Sequence, residues 1–111
     1  MPITLGKIPK LSVGDVEVAA IDFQDLLDSG ELLTGTPTVA EITTTDLTFS
    51  NKVVNTGTII VDGRTCIAGK AVQFKVSGQL SSRSIYRVRI TVSTDATVPR
   101  TFVRDVTFTV E

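Results

Sequence analysis

The last third of the chain, residues 70–111, alternates apolar and polar side chains with a period of two along three separate runs. Each run therefore has one apolar face. The three faces comprise Val72, Phe74 and Val76; then Tyr86, Val88, Ile90 and Val92; then Phe102, Val106, Phe108 and Val110. Period two is typical of strands that bury one face, and no helical period fits these windows.

This alternation makes specific burial predictions. Most of the apolar faces should be buried, namely Val72, Phe74, Val76, Tyr86, Val88, Ile90, Phe108 and Val110. Arg87 and Arg89 should then face solvent. A register slip of one residue would bury both arginines unpaired, at a cost of about several kcal/mol each.

The composition extends this prediction to the whole chain. Threonine, valine and isoleucine number 17, 15 and 9, so 41 of the 111 residues are β-branched. Branching at Cβ favours the pleated sheet over the helix, and glycine-containing turns recur along the chain. We predict an all-β sandwich of about seven or eight strands, formed by a single domain over residues 15–111.

Shorter strands are predicted upstream of the three runs. They cover Val16–Phe23, with Val16, Val18 and Ala20 on one face, then Thr38–Ile42 and Asp46–Phe49. Val53–Asp62 is expected to form a hairpin or bulged strand around residues 55–57, and Asp62-Gly63 is a strong turn signal.

Residues 1–14 carry two prolines and two glycines and have little periodicity, which predicts an extended N-terminal arm. Ile3, Leu5, Ile8 and Leu11 are apolar, so a partner should cover them. We expect this arm to be mobile in the isolated protein and ordered against neighbouring subunits.

Charge is divided unevenly, although the net charge is only −1. Residues 1–50 hold two cations and eight acids, and residues 51–111 hold nine cations and four acids. Two explanations fit this division. The halves could neutralise each other within one domain, or an acidic patch of one copy could meet a basic patch of the next.

Catalytic and metal chemistry find little support in the residues. The chain has no histidine, the usual general base and metal ligand, and Cys66 has no partner for a disulfide. Cys66 is expected to be a buried apolar residue rather than a reactive thiol. We predict no enzymatic activity, catalytic residue, cofactor or metal.

Two charged clusters were candidates for binding sites. Asp22, Asp25, Asp28 and Glu31 could supply oxygens to calcium, but their spacing of three differs from the alternate ligands of an EF-hand. Solvated acids with turn or capping roles are favoured. The second cluster comprises Arg83, Arg87, Arg89, Arg100 and Arg104. It lacks interleaved aromatic residues for stacking bases, so cross-strand ion pairs are favoured over nucleic-acid binding.

The chain also lacks the marks of membrane targeting. Residues 1–10 do not combine a basic start with an apolar run, and no stretch approaches the ~20 apolar residues of a membrane span. We expect synthesis in a reducing cytoplasm and no membrane partner.

Several short motifs resemble a known family. They are Ile21-Asp22-Phe23 followed by Leu27 and Gly30-Glu31, then the strand from Val72 to Gly78, and then Tyr86-Arg87-Val88 before a closing strand. In this order they resemble the small virion proteins of tailed bacteriophages described as fibre–tail adaptors. The resemblance spans about residues 15–111, and Gln79 stands where the family has its second glycine.

The resemblance implies a non-enzymatic, immunoglobulin-like module that docks onto tail, neck or fibre-attachment proteins of the virion in many copies. In β-sandwiches generally, a tyrosine near the start of a late strand often packs its ring inside and bonds its hydroxyl to the backbone, and we favour this role for Tyr86 over ligand contact. Two alternatives remain open, a capsid decoration protein and a carbohydrate- or cell-surface-binding module. The last would need an exposed aromatic platform, whereas most of the aromatic residues lie on the predicted inward faces.

Overall fold

The computed structural model describes residues 12–42, 44–61, 63–80 and 85–110. These residues form eight strands and one turn of 3₁₀ helix, Gln24–Leu26. The strands are β1 (Glu17–Asp22), β2 (Leu33–Glu41), β3 (Thr48–Val54), β4 (Ile59–Val61), β5 (Arg64–Cys66), β6 (Ala71–Ser77), β7 (Ile85–Thr94) and β8 (Thr101–Thr109). The prediction of an all-β chain with seven or eight strands is confirmed.

The strands form three antiparallel sheets. One has the order β1-β6-β3, the second has the order β2-β7-β8, and β4 and β5 form a two-stranded hairpin. Both three-stranded sheets therefore have a strand from the apolar C-terminal runs at their centre.

A single apolar core joins the two three-stranded sheets. β6 contributes Val72, Phe74 and Val76, and β7 contributes Tyr86, Val88, Ile90 and Val92. Ala19, Ile21 and Phe23 from the β1 region and Leu33 and Val39 from β2 complete the buried set. A second, smaller cluster lies under the hairpin, where Ala20 and Ile59 pack against Val61, Cys66 and Ala71.

The burial predictions hold in β6 and β7. Their six named side chains are each at most 1% exposed, and Arg87 and Arg89 face solvent. Val110 is only half-buried against the core, since it follows the end of β8. The side chain of Phe108 lies outside the described residues.

The boundaries of the upstream strands differ from the sequence prediction. β2 begins at Leu33, five residues before the predicted start, because the sheet continues through a break in register between Thr34 and Thr38. Gly35 and Pro37 lie in this break, and both residues suggest a turn when only the sequence is considered. Gly35 has a φ of +77°, which glycine adopts without strain.

The hairpin expected around residues 55–57 was predicted at the wrong turn. β3 pairs with β6, and the hairpin is formed by β4 and β5 around residues 62–63. The Asp62-Gly63 turn signal falls between these two strands. Asp62 lies outside the described residues, and Gly63 has a φ of +81°.

In and just before β1, Val16, Val18 and Ala20 share one face as predicted, and the structure shows that this is the outer face. Val16 and Val18 are exposed, and Ala20 is half-buried beneath the hairpin. Beyond Ala20 the alternation ends, since Ile21, Asp22 and Phe23 are all buried.

Most of the predicted N-terminal arm, residues 1–11, lies outside the described residues. Residues 12–15 form a turn in which Asp15 N donates to Ser12 O at 3.1 Å and Gly14 has a φ of +91°. The buried side chain of Gln79 holds this turn, because its Nε2 donates to Ser12 O at 2.6 Å and to Asp15 O at 3.0 Å.

Truncation of Phe74 tests the shared core. Phe74 is 1% exposed and meets Phe49 edge-on, with 5.7 Å between ring centroids. Phe74→Ala should lower the free energy of unfolding by about 3–5 kcal/mol, because it removes apolar contacts and leaves a cavity. Urea denaturation measures this loss.

The matched control is Val18→Ala on the outer face of the neighbouring strand, where Val18 is 55% exposed. It should change the free energy of unfolding by about 0.5 kcal/mol or less. Equal losses in the two variants would contradict the assignment of the buried face.

Candidate functional site

The four acids of the sequence prediction lie on the segment that joins β1 to β2. We call residues 22–31 the acidic loop. Asp22 and Glu31, at its two ends, are buried, whereas Asp25 and Asp28, between them, are exposed. Two arginines from the second half of the chain hold this loop, one at each end.

Arg64, the first residue of β5, binds the first half of the acidic loop. Its Nη1 and Nη2 donate to the two carboxylate oxygens of Asp25 at 2.7 and 2.9 Å. Nη1 also lies 3.3 Å from Asp22 Oδ2. The hydrogen bonds from Arg64 hold the pKa of Asp25 below its ordinary value.

Asp22 has local partners in addition to Arg64. Its Oδ1 accepts from Gln24 N and its Oδ2 from Gln24 Nε2, both at 2.8 Å. The first bond closes a local turn between β1 and the 3₁₀ helix. The carboxylate therefore fixes the start of the loop, in the turn role predicted for these acids. The prediction that the acids are solvated is wrong for Asp22 and Glu31, which are buried because they bind arginines and backbone N–H groups.

Arg100, just before β8, binds the second half of the loop. Its Nε donates to Glu31 Oε2 at 3.1 Å, its Nη2 donates to Glu31 Oε1, and Nη2 also donates to Leu26 O at 2.9 Å. Asp28 Oδ2 lies 3.7 Å from the same nitrogen. The guanidinium carbon lies 5.0 Å from the ring centroid of Phe102, a cation–π distance.

Glu31 is the most strongly perturbed acid in the loop. Hydrogen bonds from Arg100, and then one from the backbone N–H of Asp28, lower its pKa from 4.5 to about 2. The bond from Asp28 N to Glu31 Oε1 is 2.9 Å long. Glu31 thus stays ionised while nearly buried, because its charge and its acceptor oxygens are both satisfied.

In these contacts the carboxylates of the acidic loop pair with arginines of the same domain. The carboxylates form two separate pairs, each facing an arginine, rather than one converging set. Among the residues that the structure describes, no group of three or more His, Cys, Asp or Glu is placed to hold a metal ion. The two halves of the chain do neutralise each other at these two places, as the first explanation of the charge asymmetry proposed.

Asn55 organises the same end of the domain and is only 3% exposed. Its Oδ1 accepts from the backbone N–H groups of Gly69, Lys70 and Ala71 at 3.0–3.1 Å. Its Nδ2 donates to Gly57 O and Ile67 O at 2.9 Å each. One amide therefore joins the end of β3, the end of the β4–β5 hairpin and the start of β6.

Tyr86 occupies the opposite end of the core, near the start of β7. The residue is fully buried, its hydroxyl oxygen accepts from Leu80 N at 3.0 Å, and the hydroxyl donates to Asp46 Oδ2 at 3.0 Å. Burial raises the pKa of this hydroxyl. The prediction that Tyr86 packs its ring inside and bonds to the backbone is confirmed.

The arginine cluster does not act as one surface. Arg89 pairs across the strands with Asp105, with Nε–Oδ1 at 2.8 Å, as the preference for cross-strand ion pairs predicted. Arg100 binds the acidic loop, and the guanidinium carbon of Arg104 lies 5.9 Å from the Phe102 ring centroid. Arg87 is exposed on the same face as Arg89, and Arg83 lies outside the described residues.

Cys66 is fully buried in the small cluster beneath the hairpin. Burial, and then the hydrogen bond to Asp22, raises its pKa to about 11. A thiol in this environment stays protonated at neutral pH, and this chemistry favours the apolar role over a nucleophilic one.

The aromatic side chains that the structure describes lie in the core. Phe23, Phe74 and Tyr86 are buried, and Phe49 and Phe102 pack against them half-buried. Phe23 and Phe102 are stacked, with 6.4 Å between ring centroids. These five rings therefore do not form the exposed platform that a sugar-binding module requires.

Comparison with known proteins adds no relative. No protein-family model, curated protein or solved structure matched the chain. In the part of the chain that the structure describes, no helix has the length and apolarity needed to cross a membrane.

Sequence reasoning did not identify Arg64, Asn55 or Gln79 as important. Arg64 is 39 residues from Asp25 in the sequence, and no local pattern indicates such a contact. Asn55 did carry a signal, since asparagine near a glycine marks a turn, but that signal does not reveal burial.

The low pKa of Glu31 predicts a pH dependence of stability. The charged form is favoured in the folded state, so its contribution is complete above about pH 4.5 and is lost as the pH falls toward 2. Glu31→Gln should therefore melt below the wild type at pH 7, and the gap should narrow between pH 4.5 and pH 2. Thermal unfolding across this range measures the gap.

Glu17→Gln provides the control, because it removes a carboxylate from β1, outside the acidic loop. Its melting temperature should follow that of the wild type at every pH. If the difference in melting temperature between Glu31→Gln and the wild type stayed constant down to pH 2, the stabilising effect of Glu31 would come from its packing rather than from its charge.

Proposed function

We propose that this chain is a non-enzymatic structural module of a tailed-bacteriophage virion, which docks onto tail, neck or fibre-attachment proteins. The structural role is supported by the contacts that four polar side chains make. Arg64, Arg100, Asn55 and Tyr86 all bind loops of their own domain. Such contacts fix the loops of a scaffold, whereas a catalytic centre needs groups that converge on a substrate.

The virion assignment rests on the resemblance over residues 15–111. Several residues of these motifs lie at the two ends of the acidic loop and near the start of β7. Ile21 and Asp22 end β1, Phe23 follows in the acidic loop, and Glu31 ends that loop. The tyrosine of the third motif is Tyr86. Residues that fix the loops are those a rigid adaptor would need.

We further propose that the fold is immunoglobulin-like. In that fold one sheet contains the neighbouring strands B, E and D, and the other contains C, F and G. The orders β1-β6-β3 and β2-β7-β8 correspond strand by strand, in the same chain order, with the β4–β5 hairpin inserted between D and E.

Tyr86 supports the same proposal. Immunoglobulin-like domains often carry a tyrosine near the start of strand F, whose hydroxyl bonds to backbone a few residues upstream. β7 corresponds to strand F. The hydroxyl of Tyr86, its second residue, accepts from the N–H of Leu80, six residues upstream.

The virion role can be tested on phage particles produced in a host that carries the gene. We expect mass spectrometry of gradient-purified particles to find the protein in many copies per particle. Absence of the full-length protein from particles would contradict the virion role. Labelling of the protein in electron micrographs would distinguish a tail position from a capsid decoration.

Deletion of residues 2–11 tests the docking role of the N-terminal arm and keeps Ser12, whose carbonyl accepts from the buried Gln79 side chain. The deleted protein should keep nearly the wild-type melting temperature but be missing from particles. Unfolding of the variant would mean that the segment belongs to the folded domain. Normal incorporation would mean that another surface carries the docking.

A further inference from the structure

The four outer strands of the two three-stranded sheets differ in how well they could accept another strand. β2 contains the register break with Gly35 and Pro37, and β3 contains a break between Ser50 and Val53. Asn51, within the second break, has a φ of 51°. Bulges and prolines of this kind protect a sheet edge from pairing with another chain.

β8 carries neither a bulge nor a proline in the described residues, and its charged residues are Arg104 and Asp105. It pairs with β7 in nine consecutive positions, from Thr101 opposite Ser93 to Thr109 opposite Ile85, without a break in register. It contains no glycine, proline or lysine. β1, the remaining outer strand, has six residues and packs partly beneath the hairpin.

The hydrogen-bonding pattern shows which backbone groups of β8 point away from β7. Thr94 N donates to Arg100 O at 2.9 Å, so this pair is hydrogen-bonded. Antiparallel pairs alternate between bonded and non-bonded positions, so the even-numbered residues of β8 bond to β7. The odd-numbered residues, 101, 103, 105, 107 and 109, therefore direct their N–H and C=O groups to the outer edge.

We propose that the outer edge of β8 binds the β8 edge of a second copy of this chain, as an antiparallel pair related by a twofold axis. Such pairing would join two three-stranded sheets into one continuous sheet of six strands. The self-association does not depend on the virion role, since it requires only the isolated protein.

Like charges disfavour two of the possible registers with a second copy. A twofold axis at Asp105 would place two carboxylates directly opposite, and an axis at Arg104 would oppose two guanidinium groups, and both are unfavourable. An axis at Val106 would place Val106 opposite Val106 of the second copy. It would also place Asp105 opposite Thr107 of the second copy. Val103 then faces Thr109 of the second copy, and pairs of β-branched residues suit adjacent strands.

One contact must change on pairing. Arg104 Nη1 donates to Val103 O at 2.7 Å, which occupies an edge carbonyl. This bond is exposed, and the side chain can rotate away at low cost. Because one added strand buries little surface, the association should be weak, with a dissociation constant of about 10 to 100 μM.

Sedimentation equilibrium of the purified protein, from about 1 μM to about 1 mM, tests the proposal. The wild type should shift from monomer to dimer. Val103→Pro removes an outward N–H while leaving the bonds to β7 intact, and it should weaken dimerisation by at least about tenfold. Val103→Thr keeps both the N–H and the branched shape and should dimerise like the wild type.

Charge substitutions test the register and do not require proline. Thr107→Asp should weaken the dimer several-fold by facing Asp105 of the second copy, whereas Thr107→Lys should preserve or strengthen it. Thr38→Asp makes the same change at an exposed position of β2, on the opposite edge of the sheet, and should have no effect. A wild type that stays monomeric, or a dimer insensitive to both Val103→Pro and Thr107→Asp, would overturn the proposal.

Discussion

The fold depends on the turn at residues 67–70 and on the side chain that holds it. Asn55 Oδ1 accepts from the N–H groups of Gly69, Lys70 and Ala71. The carbonyl groups on the other side of the turn bind other strands. Gly69 O accepts from Leu33 N at the start of β2, and Lys70 O accepts from Phe23 N just after β1.

One buried amide thereby connects both sheets and the hairpin. β1 and β6 belong to one sheet and β2 to the other, and the turn bonded to Asn55 meets all three. A buried amide that satisfies its donors and acceptors is stabilising, and its loss removes hydrogen bonds to three N–H groups and two C=O groups, each worth about 1 kcal/mol net. Gly69 N and Lys70 N also donate to the backbone oxygens of Asn55 and Ile67. The acidic loop adjoins this turn, where Lys70 Nζ donates to Glu31 O at 2.8 Å.

The sequence allowed the apolar part of this structure to be predicted. The alternation in β6 and β7 specified which side chains are buried, because each strand has one face toward the core and a slip would bury arginines. The connection between β4 and β5 and the structural role of Tyr86 were also predictable from local signals. β2 was harder, since Gly35 and Pro37 lie within the strand rather than at its end.

The polar contacts could not be predicted in the same way. Arg100 is 69 residues from Glu31 in the sequence, and Asn55 is 14 residues from Gly69. Such contacts depend on how strands are ordered in the sheets, and residue type alone does not encode that order. The uneven charge of the two halves of the chain predicted that acids of the first half could pair with cations of the second. It did not predict that each end of the acidic loop binds one arginine.

The most direct test is amide hydrogen exchange, measured by NMR, in Asn55→Ala and the wild type. If Asn55 joins the sheets through its turn, the amides of Phe23 and Leu33 should lose protection although neither bonds to Asn55. Val88, in the centre of β7, serves as the internal reference and should keep more of its protection. Loss confined to Gly69, Lys70 and Ala71, with Phe23 and Leu33 unchanged, would contradict the claim that this turn holds the sheets together.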